Sequence, residues 1–205
     1  GRISDNSPAG IRAARARWDT LYAVARSIDP APLAGRAEWV TYGVAREALE
    51  AERGLRVCRL ELWGVASYVN GWQAIYTDLA RLQPVGTDPA RVDALARLRA
   101  LPGFIDQEVA NLREGLEAGF SSPKVIVENV IGQLDGILAT PVVRSPFHSP
   151  AERDSTPAFR AEYERLIERD LNPAIRRYRD FLASEYRPAA REELGVSANP
   201  DGAAC

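Results

Sequence analysis

Ile105 to Phe120 reads IDQEVANLREGLEAGF, and this stretch decides the fold class. Its apolar residues Ile105, Val109, Leu112 and Leu116 recur at the spacing of one face of an α-helix. Five charged residues flank this stripe, and acid–arginine pairs along the same helix would support it modestly. They are Asp106, Glu108, Arg113, Glu114 and Glu117. The stretch therefore predicts an amphipathic helix that buries a single stripe.

Similar spacing recurs along the chain, and prolines mark most of the boundaries. The first helix is predicted to begin at Ser7-Pro8 and to end at Pro30. The second and third are predicted from about Arg36 to Arg53, with Gly54 as its C-cap, and from about Trp72 to Leu82. We predict an all-α fold, one multi-helix domain of about six to eight helices with proline-punctuated turns.

Prolines and glycines also divide the second half of the chain. A helix starting at Thr87-Asp88-Pro89 is predicted to break at Pro102-Gly103, and the next to end at Gly119. Ser121-Ser122-Pro123 caps a further helix, and a loop is predicted for 140–157. The longest helix begins at Thr156-Pro157, should kink rather than stop at Pro173, and is interrupted by Pro188.

Composition and charge exclude several classes of protein. Hydrophobic residues make up 46% of the chain and charged residues 26%, which is typical of a globular domain. The net charge is −2 with both signs interleaved, so we expect no nucleic-acid partner. No apolar run approaches the roughly 20 residues of a membrane span. Localisation is left open by the residues.

Two cysteines, Cys58 and Cys205, lie far apart in the sequence and form no CxxC pair. We expect two ordinary free thiols rather than a functional pair, and they leave the redox compartment open. The chain begins at Gly1 and contains no methionine, so we also expect a processed chain or an excised part of a longer one.

Catalytic motifs are missing from the sequence. His148 is the single histidine, and no second histidine completes a His-Glu-x-x-His zinc motif, so we expect it on the surface or packed in a loop. There is no Gly-x-Ser-x-Gly and no glycine-rich phosphate loop. Neighbouring carboxylates such as Glu50 and Glu52 are typical of a solvated helix face. We therefore predict no catalytic residue and no metal ligand in this chain.

The stretch from Leu60 to Gln73, LELWGVASYVNGWQ, breaks the helical pattern. Its apolar residues follow neither a helical nor a strand period, which predicts irregular backbone or a short strand-like piece. The aromatic residues in and after it suit either core packing or the wall of a cleft. They are Trp63, Tyr68, Trp72 and Tyr76.

Several segments together resemble the bacterial Domain of Unknown Function 885 family. The strongest are PGFIDQEVANLREGLEAGF at 102–120 and GVSANPDGAAC at 195–205, and the similarity runs in order from about Ser7 to Cys205. Members of that family resemble longer, helical zinc metallopeptidases of the His-Glu-x-x-His type, many of them exported. The zinc motif lies in their C-terminal half, so no catalytic residue is carried over to this chain.

The resemblance implies that this chain is the N-terminal helical part, 1–205, of a zinc-dependent peptidase. Its partners would be the missing C-terminal catalytic half and a peptide substrate, with zinc held elsewhere. We predict that Asn70, Trp72 and Gln73 wall the substrate cleft, and that Gly64 and Gly71 let the backbone bend there. Two alternatives stay open, a stand-alone helical binding or scaffold module and, less favoured, a carboxylate-based hydrolase.

Overall fold

The computed structural model of the chain describes residues 3–205 and confirms the all-α prediction. Counted as continuous rods, the described part contains seven helices and no strand. The segments are α1 Pro8–Ser27, α2 Ala37–Leu55, α3 Trp72–Leu82, α4 Asp88–Glu117, α5 Lys124–Ala139, α6 Ser149–Arg153, α7 Pro157–Leu166, α8 Asn172–Phe181 and α9 Arg187–Ala189. Within residues 3–205, no helix has the length and apolar character needed to cross a membrane.

The segments α7, α8 and α9 form one long C-terminal helix that passes through two prolines. A π-helical turn, Ile167–Leu171, precedes Pro173, and a second, Leu182–Tyr186, precedes Pro188. A proline removes one backbone donor and crowds the carbonyl one turn earlier, and the wider π turn accommodates both effects. The helix therefore continues at Pro173, as predicted, and runs through Pro188 to end at Ala189.

The predicted break at Pro102-Gly103 is wrong, because α4 runs unbroken from Asp88 to Glu117. Leu98, Leu101 and Ile105 are all buried on both sides of the proline. Proline inside a helix costs about 3 kcal/mol. Burying three large apolar side chains contributes about 1.5–3 kcal/mol each, which outweighs that cost. The buried stripe therefore decides the conformation here, against the local signal of proline.

Smaller boundaries differ as well. Gly54 lies inside α2 rather than capping it, since the helix ends at Leu55. The predicted loop 140–157 contains a 3-10 turn, Val142–Arg144, and the short helix α6. Residues 60–71 are irregular, as predicted, and begin with the 3-10 turn Leu60–Leu62, while α3 starts at Trp72 as predicted.

The core lies where α4, α5 and the long C-terminal helix pack together. Residues that are almost completely buried come from each of these elements. They include Ile105, Leu112, Val127, Leu134, Ile167, Leu171, Ile175 and Leu182. Val65 and Trp72 join the same cluster, so the irregular stretch and the start of α3 are anchored on the core.

The helices α1 and α2 pack chiefly against each other as a hairpin. Arg56, directly after α2, donates to Glu52 (2.6 Å) and to Asp19 of α1 (3.1 Å). A set of large apolar side chains on this hairpin stays exposed. It comprises Trp18, Leu21, Val24, Ile28, Trp39, Val40, Val44 and Leu55. Such surface is typical of contact with another protein.

The prediction of two free thiols is wrong, because Cys58 and Cys205 form a disulfide with their Cα atoms 4.9 Å apart. The bond closes a loop between residues 147 positions apart in the sequence. It ties the end of the chain to the turn that follows α2. Sequence spacing carried no sign of this pairing, since only the packed fold brings the two ends together.

In the 105–117 part of α4, Asp106 and Arg113 pair with the long C-terminal helix rather than along α4, which corrects the expectation of intrahelical pairs there. Arg177 donates to Asp106 at 2.7 Å, and Arg113 donates to Glu185 at 2.9 Å. Both pairs are about half exposed, so each contributes at most about 1 kcal/mol.

Asp154 is a buried carboxylate that joins three segments of the chain. It accepts hydrogen bonds from Arg91 Nε (2.8 Å) and from the backbone N–H groups of Gly86 (2.9 Å) and Thr156 (2.9 Å). Burial alone would raise its pKa, but these donors outweigh burial and hold the pKa well below its usual range. The carboxylate therefore stabilises the fold above the ordinary aspartate pKa, and this contribution is lost as the pH falls through the lowered value.

We expect Asp154→Asn to lower the melting temperature at pH 7 by on the order of 10 °C, since the Arg91 guanidinium loses its buried charge partner. Asp88→Asn is a matched control, because Asp88 pairs with the same arginine at 2.8 Å but its side chain is 94% exposed. That control should shift the melting temperature by no more than about 2 °C. Thermal unfolding followed by circular dichroism checks both. Equal shifts for the two variants, or a difference that does not shrink as the pH falls below the ordinary aspartate pKa, would contradict this account of Asp154.

Candidate functional site

The irregular stretch before α3 is held by close backbone approaches. A Cβ atom on Gly71 would come within 2.3 Å of the Ala66 carbonyl oxygen, and one on Gly64 within 2.7 Å of the Leu60 oxygen. Gly71 has an ordinary φ of −72°, so space rather than backbone conformation requires glycine there. The stretch folds back on itself and directs Trp72 and Gln73 inward at the start of α3.

Gln73 braces this stretch through its side-chain amide. Its Nε2 donates to the Ala66 carbonyl oxygen (2.8 Å) and to Oε1 of Gln133 on α5 (3.0 Å). Gln133 in turn donates to the Ser67 carbonyl oxygen at 2.6 Å. The buried amide therefore locks the irregular stretch between α3 and α5, and its nitrogen is already engaged.

A cavity of about 270 Å³ lies between the irregular stretch, α3, α4 and α8. Two edge-to-face aromatic pairs line it. Trp72 and Tyr178 have ring centroids 5.4 Å apart, and Tyr76 and Phe104 have centroids 5.2 Å apart. Among residues 3–205, one acidic side chain lines the same space, Glu108 of α4. The cavity therefore combines apolar ring surface with one carboxylate.

Within residues 3–205, Glu108 is held by an amide side chain, that of Asn6, rather than by a cation. Asn6 Nδ2 donates to Glu108 Oε1 at 2.7 Å and to the Phe104 carbonyl oxygen at 3.0 Å. Asn6 is fixed in turn, since Asn111 Nδ2 donates to its carbonyl oxygen (2.9 Å) and Gln107 donates to Asn111 (2.9 Å). Burial raises the pKa of Glu108, and the Asn6 hydrogen bond lowers it by less. Ionising Glu108 thus costs folding free energy, and stability falls as the pH rises through that raised pKa.

Burial also shifts the pKa values of two tyrosine hydroxyls beside the Glu108 carboxylate, those of Tyr76 and Tyr178. Burial and the nearby Glu108 raise the pKa of Tyr76 to about 12, so its hydroxyl stays neutral. Burial, with a smaller contribution from Glu108, also raises the pKa of the Tyr178 hydroxyl. Trp72 contacts the Tyr178 ring edge to face, and the buried Trp72 Nε1 has no hydrogen-bond partner among residues 3–205.

All three predicted cleft residues line this one cavity, with Asn70 exposed and Trp72 and Gln73 buried. The other aromatic residues of the stretch lie elsewhere. Trp63 is half-buried and donates its indole N–H to the Cys58 carbonyl oxygen at 2.7 Å. Tyr68 is 78% exposed. The four rings therefore divide between core, cavity wall and surface, which answers the alternative that the sequence left open.

A second, more open groove of about 610 Å³ runs between α3 and α5. Tyr68 and Val69 of the irregular stretch form one side, and Ile137 and Thr140 of the α5 end form the other. Gln73 lines both this groove and the cavity beside Glu108. The start of α3 is thus a partition between an open apolar groove and an enclosed space that holds a carboxylate.

Comparison with known proteins matches this chain to one family, described as "Bacterial protein of unknown function (DUF885)", over residues 1–205. The chain belongs to the DUF885 family. Neither a curated protein nor a solved structure matches it. The match confirms the resemblance that the order of segments predicted, and the printed description assigns no function to the family.

The zinc ion that the DUF885 resemblance implied finds no set of ligands in the part of the chain that is described. No group of three or more His, Cys, Asp or Glu side chains within residues 3–205 is arranged to hold a metal ion. His148 is buried in the 140–157 segment, and its Nε2 lies 3.0 Å from Oε1 of Glu164. The residues described here do not fit zinc, and His148 packs in its segment, one of the two placements expected of it.

Glu108 is the residue of this DUF885 cavity that sequence reasoning missed. The spacing of the apolar residues alone places it among the charges that flank the stripe of α4. The available signal was its position three residues after Ile105 and four before Leu112, on the buried stripe itself. A charged residue on that face is rare unless it is paired.

Proposed function

We propose that this chain is the non-catalytic helical part of a zinc-dependent peptidase of the DUF885 family. In this proposal it shapes the substrate cleft, braces a catalytic part that carries the zinc ligands, and is inactive alone. Family membership and the convergence of Asn70, Trp72 and Gln73 on one cavity support it. The observation that carries it is the cavity itself, with apolar ring walls and a single carboxylate, Glu108.

The chemical role of the cavity residues is binding and orientation. Ring faces of Trp72, Tyr76 and Phe104 would accept an apolar side chain of the peptide and exclude water from it. Asn70 lies exposed at the edge of the cavity and can donate to or accept from a peptide backbone. Gln73 would act as a positioning residue, since its amide holds the partition between cavity and groove.

We expect Trp72→Phe to reduce kcat/KM for peptide hydrolysis about tenfold in the product of the full reading frame that encodes this chain. The indole N–H has no partner, so its removal leaves no acceptor unsatisfied, and the main loss is ring contact with the peptide. Asn70→Ala, at an exposed position, should reduce it roughly fivefold, the value of one hydrogen bond. Hydrolysis of an unstructured peptide by the zinc-loaded protein checks both.

Trp39→Phe serves as the matched control, because Trp39 lies on α2 and is half exposed. It should leave kcat/KM unchanged, and all three variants should keep the melting temperature of the parent protein within a few degrees. Unchanged hydrolysis in Trp72→Phe and Asn70→Ala would refute a role of the cavity in substrate binding. A full reading frame whose product binds no zinc and cleaves no peptide would refute the proposed function itself.

The second candidate function is a stand-alone helical binding or scaffold module. The exposed apolar side chains of the α1–α2 hairpin favour it, since contiguous apolar surface is typical of an interface. In that case Trp39→Glu would abolish binding of a protein partner, whereas Trp72→Phe would leave it unchanged. The peptidase proposal expects instead that Trp72→Phe reduces peptide hydrolysis and that a substitution at Trp39 leaves it unchanged.

A further inference from the structure

We propose that the cavity lined by Glu108 binds a primary ammonium group, and that this group is the amino terminus of a peptide. The choice of an ammonium group rests on the cavity alone. The choice of a peptide rests on the function proposed above. An enclosed space that receives the first residue of a chain would fix how far that chain extends beyond the cavity.

Among residues 3–205, the carboxylate of Glu108 has no paired cation, unlike two other carboxylates of the fold. Asp106, two residues earlier on α4, pairs with Arg177, and the buried Asp154 pairs with Arg91. No Arg, Lys or His among residues 3–205 pairs with Glu108, and its one hydrogen bond comes from the neutral amide of Asn6. Desolvating a half-buried carboxylate without a paired cation costs free energy. A cationic ligand that pairs with Glu108 would offset that cost.

The walls of the cavity favour the same ligand. The rings of Trp72, Tyr76, Phe104 and Tyr178 present π systems, and the face of such a ring attracts a cation. An anion would be repelled by both the rings and Glu108. From residues 3–205 a metal ion would be offered one carboxylate here and no further set of ligands. An ammonium group attached to an apolar side chain matches both components of the lining.

The carboxylate is also held in place before any ligand arrives. Oε1 accepts from Asn6, which is fixed through Asn111 and Gln107, while no hydrogen bond within residues 3–205 engages Oε2. An ammonium group has three donors and can reach Oε2 without displacing Asn6. The ordering of this side chain is therefore already complete, which reduces the entropy that binding must overcome.

The test is a calorimetric titration of the 205-residue chain with Leu-Ala-Ala amide, its N-acetylated form, and N-acetyl-Lys-Ala-Ala amide. We expect the free amino terminus to bind about tenfold to a hundredfold more tightly than either acetylated peptide, the range for a charge-assisted hydrogen bond. Glu108→Gln should abolish this preference, since glutamine keeps the Asn6 hydrogen bond but removes the charge. Glu114→Gln, an exposed position on the same helix, should preserve it.

The outcomes separate the two proposals. Tighter binding of the N-acetyl-Lys peptide would overturn the amino terminus as the source and assign a lysine side chain instead. Three results would overturn the ammonium site. They are equal binding of the first two peptides, an unchanged preference in Glu108→Gln, and no binding at about 10 mM peptide, which corresponds to a binding free energy weaker than about 3 kcal/mol. Glu108→Gln should melt no lower than the parent chain, so lost binding cannot be assigned to misfolding. Because hydrolysis is not measured, an inactive full-length protein would leave this result intact.

Discussion

Gly115→Ala should destabilise the chain by at least about 3 kcal/mol, the scale of overpacking a buried site. Gly115 is a buried residue of α4 directly against the 3-10 turn Leu60–Leu62. A Cβ atom there would lie 1.8 Å from the Leu62 carbonyl oxygen and 2.7 Å from its carbonyl carbon. These are backbone atoms, so no side-chain rotation relieves the clash, and the turn must separate from α4. Urea unfolding monitored by circular dichroism measures the loss.

Gly103→Ala is the matched control in the same helix. Nothing lies within 4 Å of a Cβ atom built on Gly103. Alanine is favoured over glycine inside a helix by about 1 kcal/mol, so this variant should be more stable than the parent chain. Opposite signs for the two substitutions would support close packing of the turn on α4. A Gly115→Ala variant as stable as Gly103→Ala would show that the turn does not contact α4 in this way.

Loss of the Cys58–Cys205 disulfide should lower the free energy of unfolding by about 2–5 kcal/mol. The bond constrains a loop between residues 147 positions apart, and longer loops lose more entropy on closure in the unfolded chain. Cys205→Ser is the cleaner variant, because Cys205 is exposed whereas Cys58 is buried. The measurement is urea unfolding of parent and variant, each with and without dithiothreitol.

The reductant provides the internal control for this prediction. It should reduce the stability of the parent chain to that of Cys205→Ser and should leave the variant unchanged. A parent chain with two titratable thiols under non-reducing conditions, or one equally stable with and without dithiothreitol, would contradict the pairing.

The fold class followed from the sequence wherever an apolar stripe was long enough to outweigh local signals. The recurrence of Ile105, Val109, Leu112 and Leu116 predicted the second half of α4 correctly. The same reasoning failed at Pro102, because the helix-breaking tendency of proline depends only on the residues next to it in the sequence. The burial that outweighs this tendency comes from packing against distant elements. At Pro173 the stripe was visible on both sides, and there the continuous helix was predicted.

The candidate site was predictable in part, for similar reasons. A loss of periodicity beside aromatic residues pointed to Asn70, Trp72 and Gln73, and all three line one cavity. The sequence could not indicate that Glu108 lies opposite them on α4, since that contact depends on how two helices pack. The Cys58–Cys205 bond was missed on the same ground, because both ends meet only in the folded chain.

The most direct measurement is a two-dimensional NMR titration of the four tryptophan indole N–H signals of the chain with Leu-Ala-Ala amide. Trp72→Phe identifies the signal of Trp72, which lines the cavity, while Trp18 and Trp39 lie on the α1–α2 hairpin. If the cavity receives peptide, the Trp72 signal shifts and saturates while the signals of Trp18 and Trp39 stay in place. A stationary Trp72 signal, with shifts confined to the hairpin tryptophans, would contradict the cavity as the peptide site.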